Sequence, residues 1–330
     1  MGGRKPMTAP SQRLPLITVV CPVFNEEASI PLFYERLLNA LKPIEGKVLF
    51  EFLFVNNRSS DGSLELLRRL RTSDPRINII TMSRNFGYQA SITAGMRHAR
   101  GDAVVNIDVD CEDPPELIPR FVERWLEGAD ITYGIRQARQ EFYLMHLARK
   151  LFYRLTRRVA DHEIILDMAE FFLADRRVCN AALATRSTFP FVRGQVGYVG
   201  FRREGIPYKR GRRVTGRTHY NLYGAVRFGI AGILSSSTLP LRILAYAGLL
   251  GFLADIVGMA LILGGAGPPA LKPGERWLLV IVLIHLAWML LAFGAIGVYL
   301  ARVYKDVIGL PLYVIDERMS SIDPSPPVRP

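Results

Sequence analysis

Two long apolar runs in the C-terminal third, Ile243 to Leu263 and Trp277 to Leu300, constrain this chain more than any other feature. A helix rises only ~1.5 Å per residue, so crossing ~30 Å of hydrocarbon takes ~20 mostly apolar residues, and both runs qualify. The stretch between them, Gly264 to Arg276, is short and rich in Gly and Pro, which predicts a helical hairpin. Arg242 precedes the first run, and Arg302 and Lys305 follow the second. The positive-inside tendency then puts both chain ends in the cytoplasm, although Lys272 and Arg276 in the turn weaken the contrast. Asp255 and His285 interrupt the runs at similar depth and are expected to face each other or a polar cavity, because an isolated charge there is costly. Upstream, Tyr220 to Leu239 is amphipathic and is expected to lie along the membrane interface.

The rest of the 330 residues alternates in a different rhythm. Ile17 to Phe24 reads as a strand, Asn25 to Glu27 as a polar loop and Ile30 to Leu41 as a helix. The unit recurs with Leu49 to Val55, Asn56 to Gly62 and Leu64 to Leu70, and again with Ile77 to Met82, Ser83 to Tyr88 and a helix ending near Arg100. A fourth strand, Ala103 to Asp108, runs into a cluster of carboxylates. Glu116 to Leu126 reads as a helix and Ala129 to Gly134 as a strand. Such alternation predicts a mostly parallel α/β sheet, and ligands of these sheets bind outside the carboxyl ends of the strands. The three polar loops and the carboxylates all fall at that edge. Phe142 to Arg158 is a basic, aromatic-rich amphipathic helix, suited to packing on the core or to lying at lipid headgroups.

Lys and Arg number 42 against 30 Asp and Glu, a net charge of +12 that suits nucleic acid, anionic lipid or phosphorylated small molecules equally. A nucleic-acid binder, however, should line a groove with its basic residues instead of surrounding a carboxylate cluster, so no nucleic-acid partner is expected. Cys21, Cys111 and Cys179 match no zinc or redox spacing and are expected to be reduced thiols. Met1 to Leu14 is polar and basic, which argues against a cleaved secretory signal.

The chemistry centres on Asp108-Val109-Asp110, followed by Glu112 and Asp113. Carboxylates spaced by two on an extended segment project to one side, which suits a hard divalent cation that also takes diphosphate oxygens. A bare D-x-D is weak, but it gains weight at the carboxyl end of a fourth strand and ahead of Pro114-Pro115.

At this point the chain resembles family 2 glycosyltransferases, and among them the polyprenyl-phosphate (bactoprenol) glycosyltransferases, with dolichyl-phosphate mannose synthases as more distant relatives. The stretches that carry the resemblance are Pro22-Val-Phe-Asn-Glu26, Ser83-Arg-Asn-Phe-Gly87, Gly101-Asp-Ala-Val104, Asp108-Val-Asp110, Asp113-Pro-Pro-Glu-Leu-Ile118, Phe152-Tyr153 and Ser237-Thr-Leu-Pro-Leu-Arg242, and it extends to the tail Pro311-Leu-Tyr313. It implies a GT-A type fold and a nucleotide pocket formed by Pro22, Phe24, Glu26, Asn57 and Asp108. Mg²⁺ or Mn²⁺ would be held by Asp110 and Glu112 with Asp108. Arg136 would contact the acceptor phosphate, with Arg149, Arg210 and Arg213 as further phosphate contacts. Arginine suits that role because its planar fork grips two oxygens at once.

Two departures from the family pattern stand out. Asn56-Asn57-Arg58 replaces two aspartates and a glycine; an asparagine still offers a carbonyl oxygen to a uracil N3–H, while Arg58 implies altered loop geometry or an extra phosphate contact. At Asp167-Met-Ala-Glu-Phe-Phe-Leu173, Glu170 takes an acidic place and Phe172 stands where relatives have arginine. Asp167 and Glu170 are candidates for positioning or proton removal, although a phosphate monoester with second pKa ~6 is already largely ionised at neutral pH. Asp108, Asp110, Arg136, Asp167 and Glu170 form the expected catalytic set.

The expected organisation is a catalytic domain over 1–215, interfacial amphipathic helices over 216–240, two transmembrane helices over 241–304 and a cytoplasmic tail over 305–330. The expected function is inverting transfer of a hexose, with UDP-glucose as leading donor, to undecaprenyl phosphate at the cytoplasmic face of the inner membrane. A UDP-uronic acid, a UDP-aminoarabinose derivative or GDP-mannose are alternative donors, and a catalytically impaired scaffold or flippase partner is the alternative role. The resemblance further implies a homotetramer.

Overall fold

The computed structural model describes residues 14–137, 168–184, 190–211, scattered positions between 241 and 257, and 274–322. Expectations placed on the helix over 142–158, with Arg149, on Asp167, Arg213, Asp255 and the segment 220–239 lie outside the described residues. The chain divides into two compact units. One comprises Met1–Glu141, Ile165–Thr218 and Pro311–Pro330, the other Phe142–Ile164 and His219–Leu310.

In the first unit, β1 (Leu16–Val23), β2 (Leu49–Asn56), β3 (Ile77–Thr81), β4 (Ala103–Asn106), β5 (Ile131–Arg136), β6 (Met168–Asp175) and β7 (Arg203–Tyr208) form one sheet in the order β3-β2-β1-β4-β6-β5-β7. The pairs β2–β3, β1–β2, β1–β4 and β5–β7 are parallel, while β6 runs antiparallel between β4 and β5. The mostly parallel α/β sheet expected from the alternation is therefore what forms. Sequence patterning missed β6, whose segment was singled out only for its acidic residues, and β7.

Both faces of the sheet are covered, which is why its strands are almost continuously apolar. Ile17, Val19, Cys21 and Val23 of β1 pack with Phe50, Phe52 and Phe54 of β2 on one side, while Val20, Leu53 and Val55 face the other. Helix α1 (Ile30–Leu41) buries Ile30, Phe33, Tyr34, Leu37 and Leu41, the 3.6-residue stripe legible in the sequence. It is joined by α2 (Ser63–Ser73), α3 (Tyr88–His98) and α4 (Ile118–Leu126). Helix α3 lies close against β1 at Gly95, where an added Cβ would come within 2.2 Å of Val20 Cγ1. Two short helices follow β6, α5 (Arg176–Leu183) and α6 (Val192–Tyr198). The Asp175 side chain caps α5 by accepting from the Arg177 N–H at 2.9 Å.

In the second unit, α7 (Gly274–Ile308) is a single 35-residue helix containing the second apolar run. Among the described residues no helix is long and apolar enough to cross a membrane. Much of the first apolar run lies outside them, and the side chains of the second are described only in part.

One buried carboxylate ties the strands together away from the loop edge that follows them. Glu51 on β2, 5% exposed, accepts from Thr18 Oγ1 (2.6 Å), Asn78 Nδ2 (2.9 Å) and Arg100 Nε (2.8 Å). Removing it takes the shared acceptor from Thr18, Asn78 and both the backbone N–H and the guanidinium of Arg100. Glu51→Ala is expected to lower the unfolding free energy by about 3 kcal/mol, read as a shifted denaturation midpoint; a change below about 1 kcal/mol would show the cluster to be incidental.

Candidate active site

The parallel strands β1, β2 and β4 all end at one edge, and the chain turns sharply after each. Asn25, Arg58 and Cys111, all non-glycine, hold left-handed backbone conformations with φ of 56°, 61° and 61°. Each costs an L-residue on the order of 1 kcal/mol, and such strain collects at functional edges. Side-chain hydrogen bonds offset the cost at the first two. Asn25 Oδ1 accepts from the Ser60 N–H (2.8 Å), and the Asn25 N–H donates to Ser59 Oγ (3.0 Å). Asn56 Oδ1 accepts from the Ser59 N–H at 3.0 Å.

These turns border a cleft of ≈ 280 Å³ whose lining includes Pro22, Phe24, Glu26, Asn57, Asp108 and Asp110. All the residues expected to bind the nucleotide thus meet in one place. Asn57 is held by the loop after β3: its Oδ1 accepts from the Phe86 N–H and its Nδ2 donates to Asn85 Oδ1, both at 2.9 Å. One lone pair and one N–H of its amide are left to meet a base edge. Asn85 and Tyr88 complete this wall; they lie in or beside a stretch whose resemblance was noted without a role for either side chain.

Tyr88 donates its hydroxyl to Asp108 Oδ1 at 2.6 Å. Burial raises the Asp108 carboxyl and the charges of Asp110, Asp113 and Glu170 add to it, against the opposing Tyr88 hydrogen bond, so that its pKa is pushed up to about 7. Asp110 Oδ1 accepts from the Glu112 N–H at 3.0 Å, across the left-handed turn at Cys111. Glu112 itself is engaged by Arg210, with Nη1 and Oε2 2.5 Å apart. Among the described residues no group of three or more His, Cys, Asp or Glu side chains is placed to hold a metal ion. Asp108 and Asp110 nonetheless fit a hard divalent cation: they are oxygen donors at the mouth of one cleft, crowded by like charge, and Mg²⁺ commonly takes one or two carboxylates with substrate phosphates and water.

Asp113 organises the flank. Only 1% exposed, it accepts from Arg136 Nη2 (3.0 Å), Arg210 Nε (3.3 Å) and the Tyr208 hydroxyl. Arg136 also donates from Nε to Tyr208 Oη at 3.1 Å. Burial opposes the charge of Arg136, yet Asp113 and Tyr208 raise its pKa above the ordinary arginine value. The Tyr208 ring closes over Gly134, where a Cβ would fall 2.5 Å from it, so this position on β5 tolerates little more than glycine. Two of the four arginines expected to meet phosphate, Arg136 and Arg210, are therefore brought together on Asp113, a carboxylate to which the sequence assigned no such role, while Arg149 and Arg213 lie outside the described residues.

Glu170 on β6 lies beside this cluster, with Gln89 Nε2 at 3.2 Å and Arg193 Nε at 3.9 Å from its Oε1. Burial raises its pKa, opposed by Arg193, Gln89 and Arg136. Its Oε2 and Asn106 Oδ1 are buried without a hydrogen-bond partner among the described residues, a state that native structures reserve for sites completed by water or ligand. Phe172, by contrast, is fully buried core. An arginine does stand beside Glu170, but it comes from α6 as Arg193.

Residues 18–182 match the family described as Glycosyl transferase family 2. The uncharacterized glycosyltransferase YkcC of Bacillus subtilis (strain 168) is 39% identical over 305 residues, covering 91% of this chain and 93% of that protein. The SfII prophage-derived bactoprenol glucosyl transferase of Shigella flexneri is 34% identical over 307 residues, 91% and 97% of the two chains. A prophage bactoprenol glucosyl transferase homolog of Escherichia coli (strain K12) is 33% identical over 303 residues, 91% and 98%.

Breaking the Asp113 cluster tests its role as organiser. Asp113→Asn is expected to cost about 2 kcal/mol of stability, at the low end for a severed buried pair because Arg136 is 39% exposed and solvent screens it. Denaturant titration checks this, and a neutral result would place the arginines under other control.

Proposed function

The chain belongs to glycosyl transferase family 2 and is a glycosyltransferase, and on that premise we propose that it transfers a hexose from a nucleotide sugar to a polyprenyl phosphate at the cytoplasmic face of a membrane. The observation that carries this reading is one cleft whose lining combines two chemistries. Pro22, Phe24 and Asn57 suit a flat base with a hydrogen-bonding edge, and Asp108 and Asp110 suit the cation that accompanies a diphosphate. UDP-glucose is the leading donor, and similarity to bactoprenol glucosyl transferases at 34% identity supports glucose as the sugar. Membrane placement is supported by the two apolar runs and by the exposed Leu286, Trp288, Leu290, Phe293 and Leu300 of α7, which a lipid environment would cover. A transmembrane hairpin and a homotetramer belong to the same reading.

Each residue then has a task. Asn57 and Phe24 orient the nucleotide, Tyr88 fixes Asp108, and Asp113 positions Arg136 and Arg210. Asp108 and Asp110 would hold Mg²⁺ or Mn²⁺, which when bound supplies positive charge to the departing diphosphate. Arg136 receives the acceptor phosphate, which is already ionised enough to attack the anomeric carbon from the face opposite the leaving group, with inversion. Arg210, held by Glu112 and Asp113, reaches a diphosphate only by exchanging partners, so the substrate replaces a pair and does not meet an uncompensated charge.

Full-length protein incubated with a panel of nucleotide sugars and undecaprenyl phosphate should give a lipid-linked hexose by mass spectrometry; no hexosyl lipid from any donor would refute the function. In the same assay Asp110→Asn is expected to cut turnover by at least ~100-fold with an unchanged melting temperature. Full retained activity would remove Asp110 from the site.

A further inference from the structure

The last described segment of the chain, residues 311–322, returns to the first unit and lies along its edge strand. Ile79 and Ser321 exchange backbone hydrogen bonds at 3.1 and 2.8 Å, and Met82 bridges Ile315 in the same antiparallel sense. The Asp316 N–H donates to Thr81 O (2.8 Å), and the Ser83 N–H to Val314 O (2.9 Å). Thr81 is gripped further by Ser320 Oγ, which accepts its N–H at 2.9 Å, and by Met319 O, which accepts its hydroxyl at 3.1 Å. Leu312, Tyr313, Ile315 and Ile322 pack against the core cluster beneath α3. An edge strand is thereby covered, which alone would be a sufficient structural reason for the segment.

Two contacts go beyond edge cover. Arg58, directly after Asn57 of the nucleotide wall, sends its Nη1 to Asp316 Oδ2 (3.2 Å) and to Met319 Sδ (2.9 Å). Its backbone is left-handed, where glycine would sit without strain, so this position keeps a side chain at a conformational cost. The segment also holds Ser83, which leads into the loop carrying Asn85 and Phe86. The two loops joined by the Asn57–Asn85 side-chain hydrogen bond are therefore both anchored by residues more than two hundred positions away in the chain.

We propose that residues 314–321 form a brace that sets the affinity of the cleft for its nucleotide, with Arg58 and Asp316 as positioning residues that hold Asn57 in its reading geometry. The inference rests on the donor reading above and extends it to residues that touch no substrate. An ion pair with side chains 44% and 27% exposed adds little to global stability, so its effect belongs in the preorganisation of the loop. Without it the loop must be ordered at the moment of binding. Donor KM rises while kcat, governed by the groups around Asp108 and Asp110, stays.

Full-length Arg58→Gly and Asp316→Ala test this: glycine accepts the left-handed backbone but also frees the loop, so Asp316→Ala, which keeps Arg58 in place, isolates the tether. UDP and GDP binding with Mg²⁺ would be measured by calorimetry beside donor KM, kcat and melting temperature. The expected result is nucleotide affinity weakened and KM raised roughly threefold to tenfold in both variants, kcat within twofold of the parent, and Asp316→Glu restoring most of the affinity. The charge-swapped double variant Arg58→Asp/Asp316→Arg should bind better than either Arg58→Asp or Asp316→Arg alone. Unchanged affinity in both Arg58→Gly and Asp316→Ala overturns the brace. So does a loss of affinity that follows a fall in melting temperature and is not relieved by the swap. If the unaltered protein binds neither nucleotide, the donor reading itself falls, a distinct outcome that takes this inference with it.

Discussion

The burial of Asp108 beside three further carboxylates, Asp110, Asp113 and Glu170, is the constraint around which the loop edge of the catalytic unit is arranged. Crowded acids at the end of a buried strand are tolerated only where hydrogen bonds and opposite charges are supplied. Each of the neighbouring elements supplies some. Helix α3 gives the Tyr88 hydroxyl and Gln89, β5 gives Arg136, the segment after β7 gives Arg210, and α6 gives Arg193. The compensation is uneven. Asp113 has three donors, Asp108 has the tyrosine and remains pushed up to about 7, and Glu170 keeps a buried oxygen without a partner among the described residues. The charge left over lies at the cleft, where a cationic ligand would be welcome.

The same edge stores conformational strain, and its distribution is informative. Asn25 and Cys111 turn the chain after β1 and β4 so that Phe24 and Asp110 reach the cleft, while Arg58 turns it after β2 behind Asn57. Polar side chains satisfy the first turn locally, through Ser59 and Ser60. The turn after β2 also draws on a distant part of the chain, through Asp316 and Met319. A loop whose shape depends on a remote segment can be adjusted without touching the Tyr88–Asp108 and Asp110–Glu112 hydrogen bonds, which join α3 to the segment after β4.

What the sequence disclosed follows from what it encodes locally. Helix α1 matched its expected limits, Ile30 to Leu41, because its apolar stripe is a property of twelve adjacent residues. The first four strands fell within two residues of expectation for the same reason. Strand β6 was missed because it lies between β4 and β5 in the sheet although β5 precedes it in the chain, and its Glu170 drew attention as chemistry, not as a strand position. Pairings across long sequence separations were illegible: Arg210 with Glu112, Tyr208 with Asp113, Arg58 with Asp316. Arg58 implies altered loop geometry or an extra phosphate contact, and its guanidinium lies on Asp316. Glu112 is a candidate metal ligand, and its carboxylate lies on Arg210. Residue type discloses the charge, and the fold decides which distant group stands opposite it.

The location of the surplus charge bears on what the cleft can accept. The chain carries +12 overall, yet among the described residues the charged groups that line the cleft are Glu26, Asp108 and Asp110, with no lysine or arginine. A bare polyanion brought there would face repulsion of several kcal/mol at close range even in a high effective dielectric. The basic groups that come near, Arg136 and Arg210, stand to one side and are already paired to Asp113. An anion therefore gains entry in two ways, by bringing its own cation to the aspartates or by taking an arginine from its carboxylate. A nucleotide diphosphate with a divalent ion does the first, and a phosphate monoester arriving along the arginine flank does the second. Aspartates that line the cleft and arginines already paired to Asp113 thus offer two negatively charged substrates different partners within one small site, which is what a transfer between them requires.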